Sequence, residues 1–343
     1  MNQDTQAPPQ TIVRQLCMGY RASQVAYIAA KLQLADHLAD NSMTSDQLAA
    51  ATSTDHASLR RVLRALVAVG VLVEKELDLF SLTPVGHLLR SDNPQSLRAM
   101  VLLLTGDVRW RCWGDLLESV RTGEPATQRV LGMSGFEFGA ANPEFAKLSA
   151  AAMAAMSATV GSEICRAYDF SKFRCVVDVG GGSGQFLTDI LRANPRLQGV
   201  LFDLPHVVTH APPILTAAGV ADRCQIQAGS FFETVPAGGD AYVLKYIIHD
   251  WDDPRASAIL AACRRAMPPD GTVVVVERVL PERAKVGIET DVYFADLEML
   301  ALTSGGRERT EDEFRQLFAA AGFVLRQVVP TASPFRVFES RPV

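Results

Sequence analysis

The sequence predicts an α/β protein with a mainly helical N-terminal part and a mostly parallel sheet in its C-terminal half. Residues 11–90 show the helical spacing of apolar side chains and end in a short hairpin. From Cys175 onward, short β-branched runs alternate with helical stretches, a pattern typical of βαβ units. A glycine-rich turn follows the first of these runs, where open α/β sheets bind their ligands.

Composition excludes several classes of protein. The chain has 343 residues, 48% of them apolar, and its longest apolar runs fall far short of the roughly 20 residues that span a bilayer. Residues 1–10 are polar and lack an apolar signal segment, so we expect a disordered lead and a cytoplasmic protein. Six cysteines without CxxC spacing argue against a disulfide framework. A net charge of −5 gives no excess of positive charge for binding nucleic acid or an anionic membrane surface.

The region 11–95 predicts a winged helix. One helix face carries regularly spaced apolar side chains, namely Leu59, Val62, Leu63, Leu66 and Val69. Gly70 ends this helix, two short strands follow within 71–82, and Thr44 with Gln47 forms a possible capping box for the preceding helix. A winged helix serves DNA binding or, alternatively, dimerisation and substrate covering. Residues 11–90 contain eight basic and seven acidic residues, a net charge of +1. This charge is too small to neutralise several phosphates, which favours dimerisation over DNA binding.

Residues 96–170 predict a helical linker and substrate lid. Met153 and Met156 lie on an alanine-rich helix there, and methionine adapts to flat apolar ligands. Ordinary core packing is the alternative, and the residues alone favour it.

Residues 171–343 predict the sheet. Its expected parallel strands are 176–179, 198–202, 224–227, 241–244 and 272–276. Segments 324–329 and 335–339, separated by Pro330 and Pro334, predict an antiparallel pair at one edge.

The turn DVGGGSG at 178–184 points to a nucleoside. Gly180, Gly182 and Gly184 allow a tight turn and close approach of a ligand, although GxGxG is one residue shorter than the dinucleotide fingerprint. Asp203 follows the next strand, where an acid accepts hydrogen bonds from ribose hydroxyls. The alternative for Asp203 is a helix cap before Pro205.

His249 follows the fourth strand at the same edge, and imidazole titrates near neutrality, which suits a base. Either Glu277 or Glu308 is placed to orient the ring. The alternative for Glu308 is a surface ion pair with Arg307 or Arg309.

Metal binding is the competing chemistry. His206 and His210 are four residues apart but lack a third ligand nearby. Asp252 and Asp253 before Pro254 are more typical of a helix N-terminus. We therefore predict no metal.

Five motifs together resemble the small-molecule O-methyltransferases of the plant caffeate and bacterial antibiotic type. They are DVGGGSG (178–184), FDLPHVV (202–208), GSFFE (229–233), KYIIHDWDD (245–253) and GGRERT (305–310). The resemblance covers nearly the whole chain. It implies a Rossmann-like methyltransferase sheet with a winged-helix dimerisation domain, S-adenosylmethionine as methyl donor, no metal, a small hydroxyl-bearing acceptor, and a homodimer held by the N-terminal region.

The resemblance also implies roles for individual residues. His249 would be the general base, flanked by Glu277 and Glu308. The residues expected around the donor are Gly180, Gly182, Gly184, Asp203, Ser230, Phe231, Lys245 and Trp251. Those expected around the acceptor are Met156, Phe294, Leu297, Met299 and Thr303. The family usually has an acid where this chain has Ser230, and a hydroxyl lacks the paired acceptors of a carboxylate.

The predicted function is therefore methyl transfer to a hydroxyl of a small, aromatic or polyketide-like metabolite. Two alternatives stay open. One is a family member that keeps the donor as a structural ligand and catalyses another reaction, such as hydroxylation; His249, Glu277 and Glu308 speak against it. The other is a winged-helix regulator that senses a ligand.

Overall fold

The computed structural model describes residues 8–287 and 290–343. The chain divides into two units, the first made of residues up to Trp110 with Lys147–Ala155, the second of Arg111–Ala146 with Met156–Val343. Among the described residues, no single helix is both long and apolar enough to cross a bilayer. Helix α1 begins at Pro9, within the lead expected over 1–10; residues 1–7 of that lead lie outside the described residues.

The first unit is mainly helical, as predicted. Its elements are α1 (Pro9–Lys31), α2 (Leu34–His37), β1 (Met43–Thr44), α3 (Ser45–Thr52), α4 (His56–Ala68), β2 (Leu72–Glu76), β3 (Leu79–Leu82), α5 (Pro84–His87) and α6 (Arg98–Thr105). The strands form a small sheet in the order β1-β3-β2. The predicted capping box of Thr44 and Gln47 starts α3. Of the predicted apolar face of α4, Leu59, Leu63 and Leu66 are buried and Val62 is half-buried, whereas Val69, the C-cap of the helix, is 49% exposed.

Helices connect β3 to the main sheet. They are α6, α7 (Asp107–Gly114), α8 (Leu116–Thr122), α9 (Ala126–Leu131), α10 (Gly135–Ala141) and α11 (Pro143–Ala167). A capping box of Ser134 and Glu137 fixes the start of α10.

The main sheet has seven strands among the described residues. They are β4 (Cys175–Val179), β5 (Gln198–Asp203), β6 (Cys224–Ala228), β7 (Ala241–Lys245), β8 (Thr272–Arg278), β9 (Phe323–Pro330) and β10 (Phe335–Pro342), in the order β6-β5-β4-β7-β8-β10-β9. Strands β4 to β8 pair in parallel, whereas β10 pairs antiparallel with both β8 and β9. This confirms the predicted parallel sheet with an antiparallel edge.

Both faces of the sheet are covered by helices. These are α12 (Gln185–Ala193), α13 (Pro205–Val208), α14 (Ala211–Ala217), α15 (Asp253–Ala266) and α17 (Glu311–Ala320), whereas α16 (Thr290–Leu302) packs on α8 and α9. Side chains alternate along a strand, so Val177 packs with Ile259 and Phe318 on one face while Val176 packs with Leu187 on the other. Burial on both faces explains why these strands are almost wholly apolar.

The strand order positions the site. The chain moves outward from β4 to β5 and β6, and then returns to place β7 on the other side of β4. Ligands bind at such a reversal, beyond the carboxyl ends of the strands. The glycine turn follows β4 and His249 follows β7, so both lie at this point.

Candidate active site

The glycine turn after β4 has a backbone that glycine suits best. Gly180, Gly182 and Gly184 have φ of 72°, 62° and 82°, in the left-handed region. A Cβ on Gly180 would also collide with the side chain of Ile247, whereas one on Gly182 would meet no atom within 4 Å. Gly184 is the N-cap of α12, so the turn lies at the positive end of that helix.

The Asp203 carboxylate faces this turn. Gly182 N–H donates to its Oδ2 at 2.8 Å, and Leu204 N–H donates to its Oδ1 at 2.6 Å. Each carboxylate oxygen can accept a further hydrogen bond, as ribose binding requires. Burial raises the pKa of Asp203. The N-cap of α13 is Leu204, so the alternative in which Asp203 caps that helix is wrong.

A cleft of about 870 Å³ opens beside the turn, a size that suits a small ligand. Six of the residues expected around the donor or the acceptor line it, namely Gly180, Asp203, Ser230, Phe231, Trp251 and Thr303. Glycine backbone, a carboxylate with acceptor capacity and aromatic walls fit the base, ribose and amino-acid tail of a nucleoside methyl donor.

The aromatic wall centres on Trp251. The rings of Phe231 and Phe232 meet it edge-on, with centroids 6.1 Å and 4.7 Å away. The Phe136 ring, from α10, lies parallel to it at 5.5 Å. Sequence reasoning missed Phe136, because no local motif links α10 to a turn that follows β7.

Ser230, the departure from the family motif, also lines the cleft. Its Oγ accepts the N–H of Phe232 at 3.3 Å, so the hydroxyl helps to shape the loop that carries the two phenylalanines. Its contact with an adenosine stays a prediction.

Lys245 is the last residue of β7 and is not part of the cleft lining. Burial lowers the pKa of its amine, and the charges of Asp178, Glu277 and Asp189 act in the opposite direction. Burial also raises the pKa of Asp178 to about 7. Lys245 therefore belongs to a buried charge cluster that includes the first residue of the glycine motif.

Four of the predicted acceptor residues are not among those that line the cleft. Leu297 and Met299 are half-buried on α16, Phe294 on the same helix is 53% exposed, and Met156 is half-buried on α11. Their role in acceptor binding stays a prediction.

His249 lies on a single 3-10 turn, Ile248–Asp250, directly beyond β7. Its side chain is buried, and Nδ1 lies 3.0 Å from Oε1 of Glu308. Glu308 is 1% exposed, so the alternative of a surface ion pair is wrong. The N–H of Glu308 donates to Oδ1 of Asp296, on α16, at 2.9 Å.

Glu277 supports the same turn through its backbone. Its Oε1 accepts the N–H groups of Ile247 at 2.9 Å and Ile248 at 2.7 Å, and that of His249 at 3.4 Å. The two acids left open by the sequence thus make different contacts: Glu308 meets the ring and Glu277 meets the main chain. Among the described residues, Oε2 of each has no hydrogen-bond partner.

The electrostatics of the cluster favour a protonated imidazole. Burial alone lowers the pKa of His249, but Glu277, Asp250 and Glu308 outweigh it and raise that pKa to about 10. Burial raises the pKa of Glu277 to about 7, against the effect of His249.

The cluster also has a composition that metals bind. One ligand atom from each of His249, Glu277 and Glu308 lies within 4.8 Å of the others. Oε1 of Glu277 already accepts backbone N–H groups, and Nδ1 already pairs with Glu308. These contacts show an imidazole and a carboxylate already hydrogen-bonded within the protein, and the expectation of no metal stays a prediction.

Comparison with known proteins identifies the family. Residues 113–324 match the model of the O-methyltransferase domain, and residues 14–92 match the O-methyltransferase dimerisation domain. The chain belongs to the O-methyltransferase family. It is 43% identical over 339 residues to phenazine O-methyltransferase PhzM of Lysobacter antibioticus, covering 98% of this chain and 97% of that protein. It is 39% identical over 332 residues to O-demethylpuromycin-O-methyltransferase of Streptomyces alboniger, covering 96% and 88%.

A solved relative of this methyltransferase has two ligands bound. The O-methyltransferase NcsB1 from neocarzinostatin biosynthesis, in complex with S-adenosylmethionine and 2-hydroxy-5-methyl naphthoic acid, matches with a TM-score of 0.79 and 33% identity, over 94% of this chain and 96% of that one. The predicted family and fold class are confirmed. The enzyme is a methyltransferase whose donor is S-adenosylmethionine.

Proposed function

We propose that this methyltransferase methylates a hydroxyl group of a small aromatic metabolite, with His249 as general base. One observation carries the proposal. The His249 imidazole pairs with the buried carboxylate of Glu308 and lies just beyond the carboxyl end of β7. Strand β7 is the neighbour of β4, whose glycine turn borders the cleft.

S-adenosylmethionine, when bound, supplies an electrophilic methyl group on a sulfonium. The chain would hold the donor against the glycine backbone at Gly180, through Asp203 as acceptor for ribose hydroxyls, and through Trp251 and Phe231 as an aromatic wall. Orienting two reactants can correspond to effective molarities of roughly 10⁵–10⁸ M, so positioning is the largest contribution expected of these residues.

His249 then serves the acceptor. Its Nδ1 pairs with Glu308, and its Nε2, which lies 3.6 Å from Oδ1 of Asp250, would accept the proton of the acceptor hydroxyl. A free phenol has a pKa near 10 and is mostly neutral at physiological pH, so it needs a base. The raised pKa of His249, about 10, matches the pKa of the phenol whose proton it would take. Glu308 stabilises the imidazolium that forms.

The acceptor class rests on the relatives and on the cleft. Of the three relatives described above, one is named for a phenazine and another binds a naphthoic acid, both flat aromatic molecules. We extend this class to the present enzyme and keep Met156, Phe294, Leu297, Met299 and Thr303 as the proposed acceptor contacts. Thr303 is the one that also lines the cleft.

Incubation with methyl-labelled donor and a panel of hydroxylated phenazines and naphthoates tests the function. We expect label on a phenolic oxygen, located by mass spectrometry, and a loss of about 10²–10⁴-fold in kcat for His249→Ala with donor affinity retained. Near-normal turnover by that variant would remove His249 as the base. Donor binding without transfer to any acceptor would favour the drifted-enzyme alternative, and DNA binding at physiological salt would favour the regulator.

The remaining expectations belong to the same proposal. The match of residues 14–92 to a dimerisation domain supports a homodimer, which light scattering of the purified protein tests. Cytoplasmic location, the lid role of 96–170, and the absence of nucleic-acid and membrane partners stay predictions.

A further inference from the structure

We propose that Arg309 is a positioning residue that fixes the His249 turn against the loop carrying Glu308. The inference rests on the proposed role of His249 as base and adds a residue to which neither sequence motif nor comparison gives a role. Arg309 is fully buried, with 0% exposure, and is among the largest side chains so enclosed.

The guanidinium of Arg309 contacts both ends of the His249 turn. Its Nη1 donates to the carbonyl of Ile248 at 3.1 Å, and its Nη2 donates to the carbonyl of Trp251 at 2.8 Å. These two carbonyls flank His249 and Asp250 along the chain. The turn is therefore held at two points by one rigid side chain.

The other donors of Arg309 are also engaged. Nε and Nη2 donate to Oδ1 of Asp253 at 3.0 Å and 2.8 Å, and Nη1 donates to the carbonyl of Arg307 at 3.4 Å. All five N–H groups of the planar fork thus have acceptors. Lysine would keep the charge but has three donors on one flexible nitrogen, so it cannot reproduce this geometry.

The loop and the turn also pack closely through their backbones. The N–H of Arg307 donates to the carbonyl of His249 at 2.8 Å. A Cβ on Gly306 would lie 2.7 Å from that same carbonyl oxygen, so a larger residue there would push the two segments apart. The position of Glu308 relative to the imidazole therefore depends on this junction.

Arg309 directly follows Glu308 in the chain, so adjacent residues contact the His249 ring and the turn that carries it. While the Glu308 side chain reaches Nδ1 of His249, the next side chain holds the ends of the turn that carries the histidine. The Arg309 backbone is anchored separately, because its carbonyl accepts the N–H of Leu280 at 2.9 Å. A change of the side chain alone should therefore loosen the turn while the loop backbone keeps this anchor.

Arg309→Lys tests the proposal, with the exposed helix residue Arg315→Lys as matched control. Circular dichroism and melting temperature report folding, calorimetry reports the Kd for S-adenosylmethionine, and NMR titration of the His249 ring reports its pKa. For Arg309→Lys we expect kcat to fall at least about tenfold, donor Kd to change less than about threefold, and the His249 pKa to fall because the Glu308 contact loosens. Arg315→Lys should match the wild type in every readout.

A double-mutant cycle separates positioning from general stabilisation. If Arg309 acts through the His249–Glu308 pair, Arg309→Lys should change kcat by less than about twofold in a Glu308→Gln background. Additive losses, or an unchanged kcat and His249 pKa in folded Arg309→Lys, would overturn the proposal.

A second variant covers the case in which Arg309→Lys does not fold. Asp253→Asn removes the countercharge and leaves Arg309 in place, and we expect the same changes on a smaller scale; a folded Asp253→Asn with wild-type kcat and His249 pKa would overturn the proposal. Should the wild type methylate no phenol, the proposed function fails, while the NMR comparison still decides whether Arg309 positions His249.

Discussion

Nδ1 of His249 lies 3.0 Å from Oε1 of Glu308, and the two side chains are only 8% and 0% exposed. The carboxylate accepts a proton held on Nδ1, so in the neutral form of the imidazole this contact defines the tautomer. In that tautomer Nε2, which lies 3.6 Å from Oδ1 of Asp250, is the nitrogen that we propose accepts the proton of an acceptor hydroxyl.

Glu308→Gln tests this contact. Glutamine keeps the shape but loses the charge that stabilises the imidazolium, so we expect kcat to fall by about 10²-fold with little change in donor Kd. Steady-state kinetics and calorimetry measure the two effects. The surface variant Glu311→Gln serves as control, and equal losses in both variants would contradict a specific role of Glu308.

The activity should rise with pH. The carboxylates around His249 raise its pKa to about 10, so the imidazole is mostly protonated at neutral pH and becomes a base as pH increases. Glu277→Gln removes one of these charges but keeps an oxygen for the backbone N–H groups of the turn. We expect the rising limb of kcat/KM to move to lower pH in this variant. Ionisation of the acceptor affects the wild type and the variant equally. A rising limb of kcat/KM at the same pH in both would therefore exclude His249 as the titrating group.

The same shift predicts a pH dependence of stability. A raised pKa in the folded state means that charged His249 stabilises the fold fully below its unfolded pKa, near 6.5, and that this contribution disappears as pH rises through about 10. The melting temperature of the wild type minus that of His249→Gln should therefore be largest near pH 6 and decrease toward pH 10. A difference independent of pH would contradict the assigned charge.

Asp203→Asn tests the ribose contact. A hydrogen bond to a charged group contributes about 1.5–3 kcal/mol, and each 1.4 kcal/mol is tenfold in affinity, so we expect donor Kd to rise by about 10- to 100-fold. Calorimetry measures the change, and kcat at saturating donor should stay close to wild type. Exposed Asp222→Asn provides the control. A loss of kcat with unchanged Kd would place Asp203 outside the donor site.

Two alanine variants separate backbone conformation from steric fit in the glycine turn. Left-handed φ alone costs an alanine roughly 1–2 kcal/mol, and this is the only penalty expected for Gly182→Ala. Gly180→Ala adds a collision with Ile247, so it should lower the melting temperature and donor affinity further. Thermal unfolding with and without donor measures both. The reverse order would mean that the turn relaxes around Gly180.

The sequence was informative wherever function lies in a local motif. The glycine turn, Asp203 and His249 each follow directly from a strand that β-branched residues mark out, and parallel strands bring their carboxyl ends to one edge. Whether Glu277 or Glu308 contacts the imidazole depends instead on how the loop that carries Glu308 packs against the turn that carries His249. The contacts of Phe136 and Arg309 also depend on such long-range packing: Phe136 escaped the sequence analysis, and Arg309 entered it only as a possible surface partner of Glu308.

The hydrogen bond from the N–H of Glu308 to Asp296 has a consequence for substrate selection. Asp296 sits on α16, the helix that carries three of the proposed acceptor residues. A molecule too bulky for that surface would push α16 outward. Because Asp296 holds the backbone of Glu308, this movement would draw the Glu308 carboxylate away from the His249 ring. We therefore expect poorly fitting molecules to be methylated slowly even when they bind, so that discrimination occurs in turnover as well as in affinity.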